Sequence, residues 1–91
     1  MQILAGAHKR LKWQDGEFIV AADGDWVIKS LNYFEYQDVL PLTGVEFMIG
    51  TISRGLVEVP VGATVAEFIA SPLPQFVHPL SSAIWDHTRG N

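Results

Sequence analysis

The amino-acid sequence predicts a mainly-β fold: a small antiparallel barrel or sandwich of about six strands, with one short helix near residues 64–71 and an extended apolar C-terminal arm. Three observations support this prediction. Two Asp-Gly pairs separate apolar stretches, apolar and polar residues alternate through much of the first half, and three of the five prolines fall close together near the C-terminus. We expect a β-domain over residues 1–71 and the arm over residues 72–91, within a single domain overall.

The first three strands are predicted from the pairs Asp15-Gly16 and Asp23-Gly24. Asp-Gly is among the strongest short-range signals for a β-hairpin, because both residues tolerate the positive φ angles that tight hairpin turns require. The strands that these turns separate are expected at residues 11–14, 17–22 and 26–30.

Three further strands are predicted from alternation of side-chain direction. Residues 33–40 place Phe34 and Tyr36 on one face, and Pro41 ends the strand. Residues 45–52 alternate in the same way. A turn at Arg54-Gly55 then leads to a last strand over residues 56–61.

A short helix is predicted over residues 64–71 because Thr64 and Glu67 have the spacing of a capping box. In this motif the two side chains bond reciprocally to backbone N–H groups of the first turn. Ser71-Pro72 ends the helix, since the residue before a proline avoids the helical conformation.

Residues 72–91 are predicted to form an arm because Pro72, Pro74 and Pro79 favour an extended course without ladder hydrogen bonds. Its apolar side chains need burial against either its own barrel or a neighbouring subunit, and the small size of the domain favours the neighbour. If the arm docks on a neighbour, deletion of residues 72–91 leaves a folded domain. Loss of folding would place the arm in its own core.

Residues 57–69 resemble the strand-turn-helix segment of the β-grasp sulfur carriers related to ubiquitin. The shared capping box accounts for this resemblance. Those carriers end in an activated Gly-Gly pair, whereas this sequence ends Arg89-Gly90-Asn91. No activity, cofactor or partner is therefore carried over.

Composition favours a protein that binds other proteins. Hydrophobic residues make up 48% of the chain and charged residues only 18%, against about 25% charged in an average domain. A small domain with so few charges is expected to expose apolar surface, which tends to mark contact sites. The net charge of −4 opposes sequence-independent nucleic-acid binding, and the absence of cysteine excludes disulfides and thiolate metal sites.

Catalytic, cofactor-binding and metal-binding residues are not predicted. His8, His78, Asp86 and His87 lack the spacing of known zinc sites, and Asp23-Gly24-Asp25 lacks the remaining ligands of a calcium loop. A Ser/His/Asp triad drawn from Ser81 or Ser82, His78 or His87, and Asp86 lacks the strained Gly-x-Ser-x-Gly turn of a known nucleophile. We expect the protein not to be an enzyme and to have no cofactor.

The leading functional prediction is a non-catalytic structural or assembly subunit that binds other protein surfaces, as a homo-oligomer or as an auxiliary decoration or connector component of a larger particle such as a virion. The apolar run at residues 1–7 is too short for a membrane span and precedes its charges, so an intracellular soluble or virion-associated location is expected. The predicted interface residues are aromatic and aliphatic side chains of the fourth strand and the arm: Tyr33, Phe34, Tyr36, Phe76, Val77, Ile84 and Trp85.

Three alternatives stay open. In the first, the chain is a small acidic inhibitor that blocks a nucleic-acid-binding enzyme by presenting carboxylates as phosphate mimics: Asp23, Asp25, Glu35 and Asp38. It would be a small-ligand-binding barrel if its interior is lined by Trp26, Phe34 and Phe47. A stacking platform for single-stranded nucleic acid would use aromatic residues with nearby cations, from Trp13 and Trp26 to Tyr33, Phe34 and Tyr36.

Overall fold

The computed structural model describes residues 7–90, which form an open four-stranded antiparallel sheet and four helices. The predicted mainly-β barrel or sandwich of about six strands is therefore wrong. The elements in chain order are β1 (His8–Gln14), β2 (Glu17–Val20), β3 (Trp26–Lys29), α1 (Tyr33–Val39), α2 (Gly44–Gly55), β4 (Leu56–Glu58), α3 (Val65–Ala70) and α4 (Pro74–Thr88). Most of the N-terminal apolar run, at residues 1–6, lies outside the described residues.

The sheet has the strand order β2-β1-β3-β4, and each neighbouring pair is antiparallel. The predicted hairpin at Asp15-Gly16 is confirmed, since both residues have positive φ, 54° and 83°, and join β1 to β2. At the second turn a Cβ on Gly24 would lie 2.3 Å from the backbone oxygen of Leu11. Only glycine fits there, because the chain passes directly against β1.

Two predicted strands are helices. Residues 33–40 contain α1, which begins with a capping box: Asn32 Oδ1 accepts from the Glu35 amide at 2.9 Å, and Glu35 Oε1 accepts from the Asn32 amide at 3.0 Å. Residues 45–52 lie in α2. For residues 33–40 the error arises because a short run with aromatic and β-branched side chains fits both periodicities, whereas the capping box adds hydrogen bonds that only a helix makes. Helix α2 has no side-chain cap hydrogen bond, and it buries Thr51 and Ile52 in the core instead.

The short helix predicted over residues 64–71 is confirmed as α3, with both capping-box hydrogen bonds present between Thr64 and Glu67. The strand predicted at residues 56–61 is confirmed only in its first half, as β4.

The predicted extended arm is wrong, because residues 74–88 form the longest helix in the described part of the chain. Pro74 occupies the first helical turn, where the missing N–H costs nothing, and Leu73 before it is extended. Leu80, Ser81, Ile84 and Trp85 are buried at helical spacing. The apolar side chains of Leu80, Ile84 and Trp85 are therefore buried in the chain's own core.

The core lies between one face of the sheet and the helices α3 and α4. Phe76 of α4 meets Trp13 at 4.8 Å and Trp26 at 4.9 Å between ring centroids, which anchors the helix to β1 and β3. Helix α2 packs on α4 in turn, and a Cβ on Gly55 would lie 2.6 Å from Ile84 Cγ2. Between residues 7 and 90, no helix is both long and apolar enough to cross a membrane.

Candidate protein-binding face

A cleft of about 680 Å³ opens between α1, α2 and α4. Its floor is aromatic: the Trp85 ring stacks on Phe47, with 5.4 Å between centroids and 7° between planes, and Tyr36 meets Trp85 edge-on at 5.4 Å. Leu40 and Met48 extend the apolar wall. An apolar floor whose polar neighbours all lie along α4 or at its end suits burial of an apolar or aromatic side chain better than binding of a charged small molecule.

Trp85 is held in place by neighbours on two helices. Its indole N–H donates to the hydroxyl of Thr51 on α2 at 3.0 Å, within the buried core. Arg89 lies 5.9 Å from the ring centroid and also pairs with Asp86 at 3.0 Å. The floor of the cleft is therefore held by contacts within the chain, and a surface held in this way loses little conformational entropy on binding.

Polar side chains follow the α4 edge of the cleft at four-residue spacing: His78, Ser82 and Asp86. One His, one Ser and one Asp considered for the Ser/His/Asp triad thus lie along the same edge of α4. Among the described residues no hydrogen bond joins them, and Asp86 accepts instead from Arg89. His87 lies nine residues after His78, on the opposite side of the helix, where its Nε2 donates to the Ala7 carbonyl at 2.6 Å.

The metal-ligand candidates are also dispersed. His8 is exposed on β1, and no group of three or more His, Asp or Glu side chains within residues 7–90 is placed to hold a metal ion.

The first turn of α1 carries an exposed aromatic pair. Tyr33 is 69% exposed and Phe34 is 76% exposed, and their rings meet edge-on at 5.8 Å. The turn is fixed to β3, because Lys29 Nζ donates to Glu35 Oε1 at 2.7 Å. Burial raises the pKa of Glu35, but the hydrogen bonds from Lys29 and Asn32 and the nearby positive charges outweigh it, so the pKa lies below its ordinary value.

The predicted interface residues divide into two sets. Tyr33 and Phe34 are exposed, and Tyr36 is half-buried at the cleft. The other four belong to α4: Phe76 and Val77 pack on the core, and Ile84 and Trp85 are within it. Of these four, only Trp85 lines the cleft, and it does so as the floor.

Several exposed apolar residues lie on or beside the helices that form the cleft. Seven large apolar side chains are exposed within residues 7–90, and four of them lie on or just after α1 or at the start of α2: Tyr33, Phe34, Leu40 and Val45. We call these four residues, together with the cleft, the α1–α2 face. No family model, curated protein or solved structure matches this chain. The α1–α2 face is therefore interpreted from its own chemistry.

Sequence reasoning missed Leu40 and Val45, although a signal for the first was present. Asn32 and Glu35 have capping-box spacing, and a helix starting there places Tyr33, Tyr36 and Leu40 on one side.

The carboxylates proposed for the acidic-inhibitor alternative are largely paired within the chain. Three of the four proposed phosphate-mimicking carboxylates face cations of the same chain: Asp23 with Lys12 at 3.2 Å, Glu35 with Lys29 at 2.7 Å and Asp38 with Arg54 at 3.9 Å. This pairing weakens the negative potential that such an inhibitor needs.

The three proposed barrel-lining aromatics lie apart. Trp26 faces α3 beside a separate cleft of about 480 Å³, Phe47 lies under Trp85, and Phe34 is exposed. The proposed nucleic-acid platform is divided in the same way, because Trp13 and Trp26 pack around Phe76.

Proposed function

We propose that this chain is a non-catalytic subunit of a protein assembly and that it binds another protein surface through the α1–α2 face. The observation that carries the proposal is the concentration of exposed apolar side chains beside a cleft with an aromatic floor. Exposed apolar side chains near an aromatic-floored cleft are typical of an interaction site, and aromatic residues dominate the binding energy of such sites.

The conformation of the face supports the same role. The aromatic pair stands on a capped helical turn that is tied to β3 by an ion pair, and Trp85 is tied to α2 by a buried hydrogen bond. The helical turn that carries the pair and the Trp85 ring are therefore both held by contacts within the chain. A surface ordered in advance loses little conformational entropy when it binds.

The test is selection of binding peptides from a displayed library of amphipathic helices against sparsely immobilised protein. Peptides that bind the wild type are expected to lose binding to the double variant Tyr33→Ser/Phe34→Ser, whose fold is checked by circular dichroism. A matched control, Val61→Ser/Leu73→Ser, removes two exposed apolar side chains beside the other cleft and is expected to retain binding. If no selected peptide distinguishes the two double variants, the α1–α2 face is not a protein-binding surface.

A further inference from the structure

The α1–α2 face contains a projection and a recess side by side. Tyr33 projects from the first turn of α1, while Tyr36 and Leu40, three and seven residues later on the same helix side, line the cleft. At a rise of 1.5 Å per residue, Tyr33 lies about 5 Å along the helix from Tyr36 and about 10 Å from Leu40.

We propose that the partner is a second copy of this chain, related by a two-fold axis, with the Tyr33–Phe34 pair of each copy inserted in the cleft of the other. This inference rests on the proposed function. A two-fold interface uses the same patch on both copies, so that patch must be complementary to itself. A projecting aromatic pair beside an aromatic-floored recess meets that condition, and the ring edges of one copy meet ring faces of the other in the geometry that aromatic pairs prefer.

The exposed area agrees with what a stable dimer needs. Two aromatic side chains of about 200 Å² each, 69% and 76% exposed, present about 290 Å² of surface. Leu40 and Val45, 49% and 66% exposed, add about 115 Å² if a buried aliphatic side chain corresponds to about 100 Å². A standard interface buries about 800 Å² per subunit, of which about 450 Å² is apolar. Complete burial of these four side chains would supply most of that apolar area.

The charge distribution predicts how dimerisation responds to salt. Each copy has a net charge of −4, so two copies repel each other at long range. The contact itself is apolar, with the Asp86–Arg89 pair at its rim. Added salt screens the repulsion without weakening the apolar contact, so the dimer is expected to become more stable as ionic strength rises.

The first experiment is the mass in solution by size-exclusion chromatography with light scattering, at low and high salt. The wild type is expected at twice the monomer mass, most completely at high salt. Tyr33→Ser/Phe34→Ser is expected to raise the dimer dissociation constant by at least about thirtyfold, the effect of losing one interface hot spot. Val61→Ser/Leu73→Ser is expected to leave it unchanged. A dimer that withstands the first pair of substitutions would overturn the proposal.

A second experiment tests the arrangement, and the absence of cysteine from the sequence makes each introduced thiol unique. Gln37→Cys lies one turn after Tyr33, and Ser82→Cys lies at the cleft; both positions are exposed. An equimolar mixture of the two single variants, treated with a short bis-maleimide, is expected to give more mixed cross-link than a mixture of Val61→Cys with Ser82→Cys. Equal yields would overturn the insertion of the aromatic pair in the cleft.

The outcomes separate this proposal from the function on which it rests. A wild type that stays monomeric at its highest soluble concentration, yet selects peptides that depend on Tyr33 and Phe34, shows a foreign partner and overturns only the second-copy inference. A monomer that selects no such peptides overturns both.

Discussion

The hydrogen bond between Trp85 and Thr51 gives the sharpest test of how the cleft floor is held. Thr51 is fully buried, and its hydroxyl accepts from the indole N–H at 3.0 Å. The substitution Thr51→Val keeps the shape of the side chain and removes the acceptor. The orphaned buried N–H costs about 1–3 kcal/mol, and the added methyl group recovers less than about 1 kcal/mol. We expect the free energy of unfolding to fall by about 1–2 kcal/mol.

Urea denaturation followed by far-ultraviolet circular dichroism measures this change as a lower midpoint with an unchanged slope. The companion variant Trp85→Phe removes the donor, so Thr51→Val in that background orphans no group and is expected to cost less than about 0.5 kcal/mol. Equal costs of Thr51→Val in the two backgrounds would refute the reasoning, because the effect would then arise from packing around Thr51 and not from the hydrogen bond.

Three further predictions concern the packing and the pH dependence. Gly55→Ala is expected to destabilise the fold by about 1–3 kcal/mol because the new methyl group meets Ile84. The higher helix propensity of alanine offsets up to about 1 kcal/mol of this loss. Denaturation that shows no loss of stability would contradict the close approach of α2 and α4. Deletion of residues 72–91 removes the fully buried Leu80 and Ile84 and is expected to abolish cooperative unfolding, measured by circular dichroism. A folded remainder would show that the core does not need α4. The lowered pKa of Glu35 contributes stability that is present above the unfolded pKa of about 4.3 and is lost as the pH falls through the folded value. Glu35→Gln is therefore expected to flatten the acid side of a plot of melting temperature against pH. Parallel plots for the two proteins would exclude this contribution.

Local signals in the sequence determined the parts of the fold whose hydrogen bonds close within a few residues. The turn at Asp15-Gly16 follows from the tolerance of these residues for positive φ, and α3 follows from reciprocal bonds between Thr64 and Glu67. The cap of α1 was equally local, with Asn32 and Glu35 at the same spacing. The alternation of residues 33–40 predicts a strand, whereas the reciprocal bonds of this cap form only in a helix.

Only the tertiary structure decided which apolar residues are buried in the core and which are left outside. Phe34 and Trp85 are both large aromatic residues, yet one is 76% exposed and the other 8%. The difference arises because α2 packs on α4 and covers Trp85, whereas no element of residues 7–90 covers the outer side of the first turn of α1. Burial depends on which faces meet across the whole chain, and hydrophobicity along the sequence is the same for a side chain in the core and for one left on the surface.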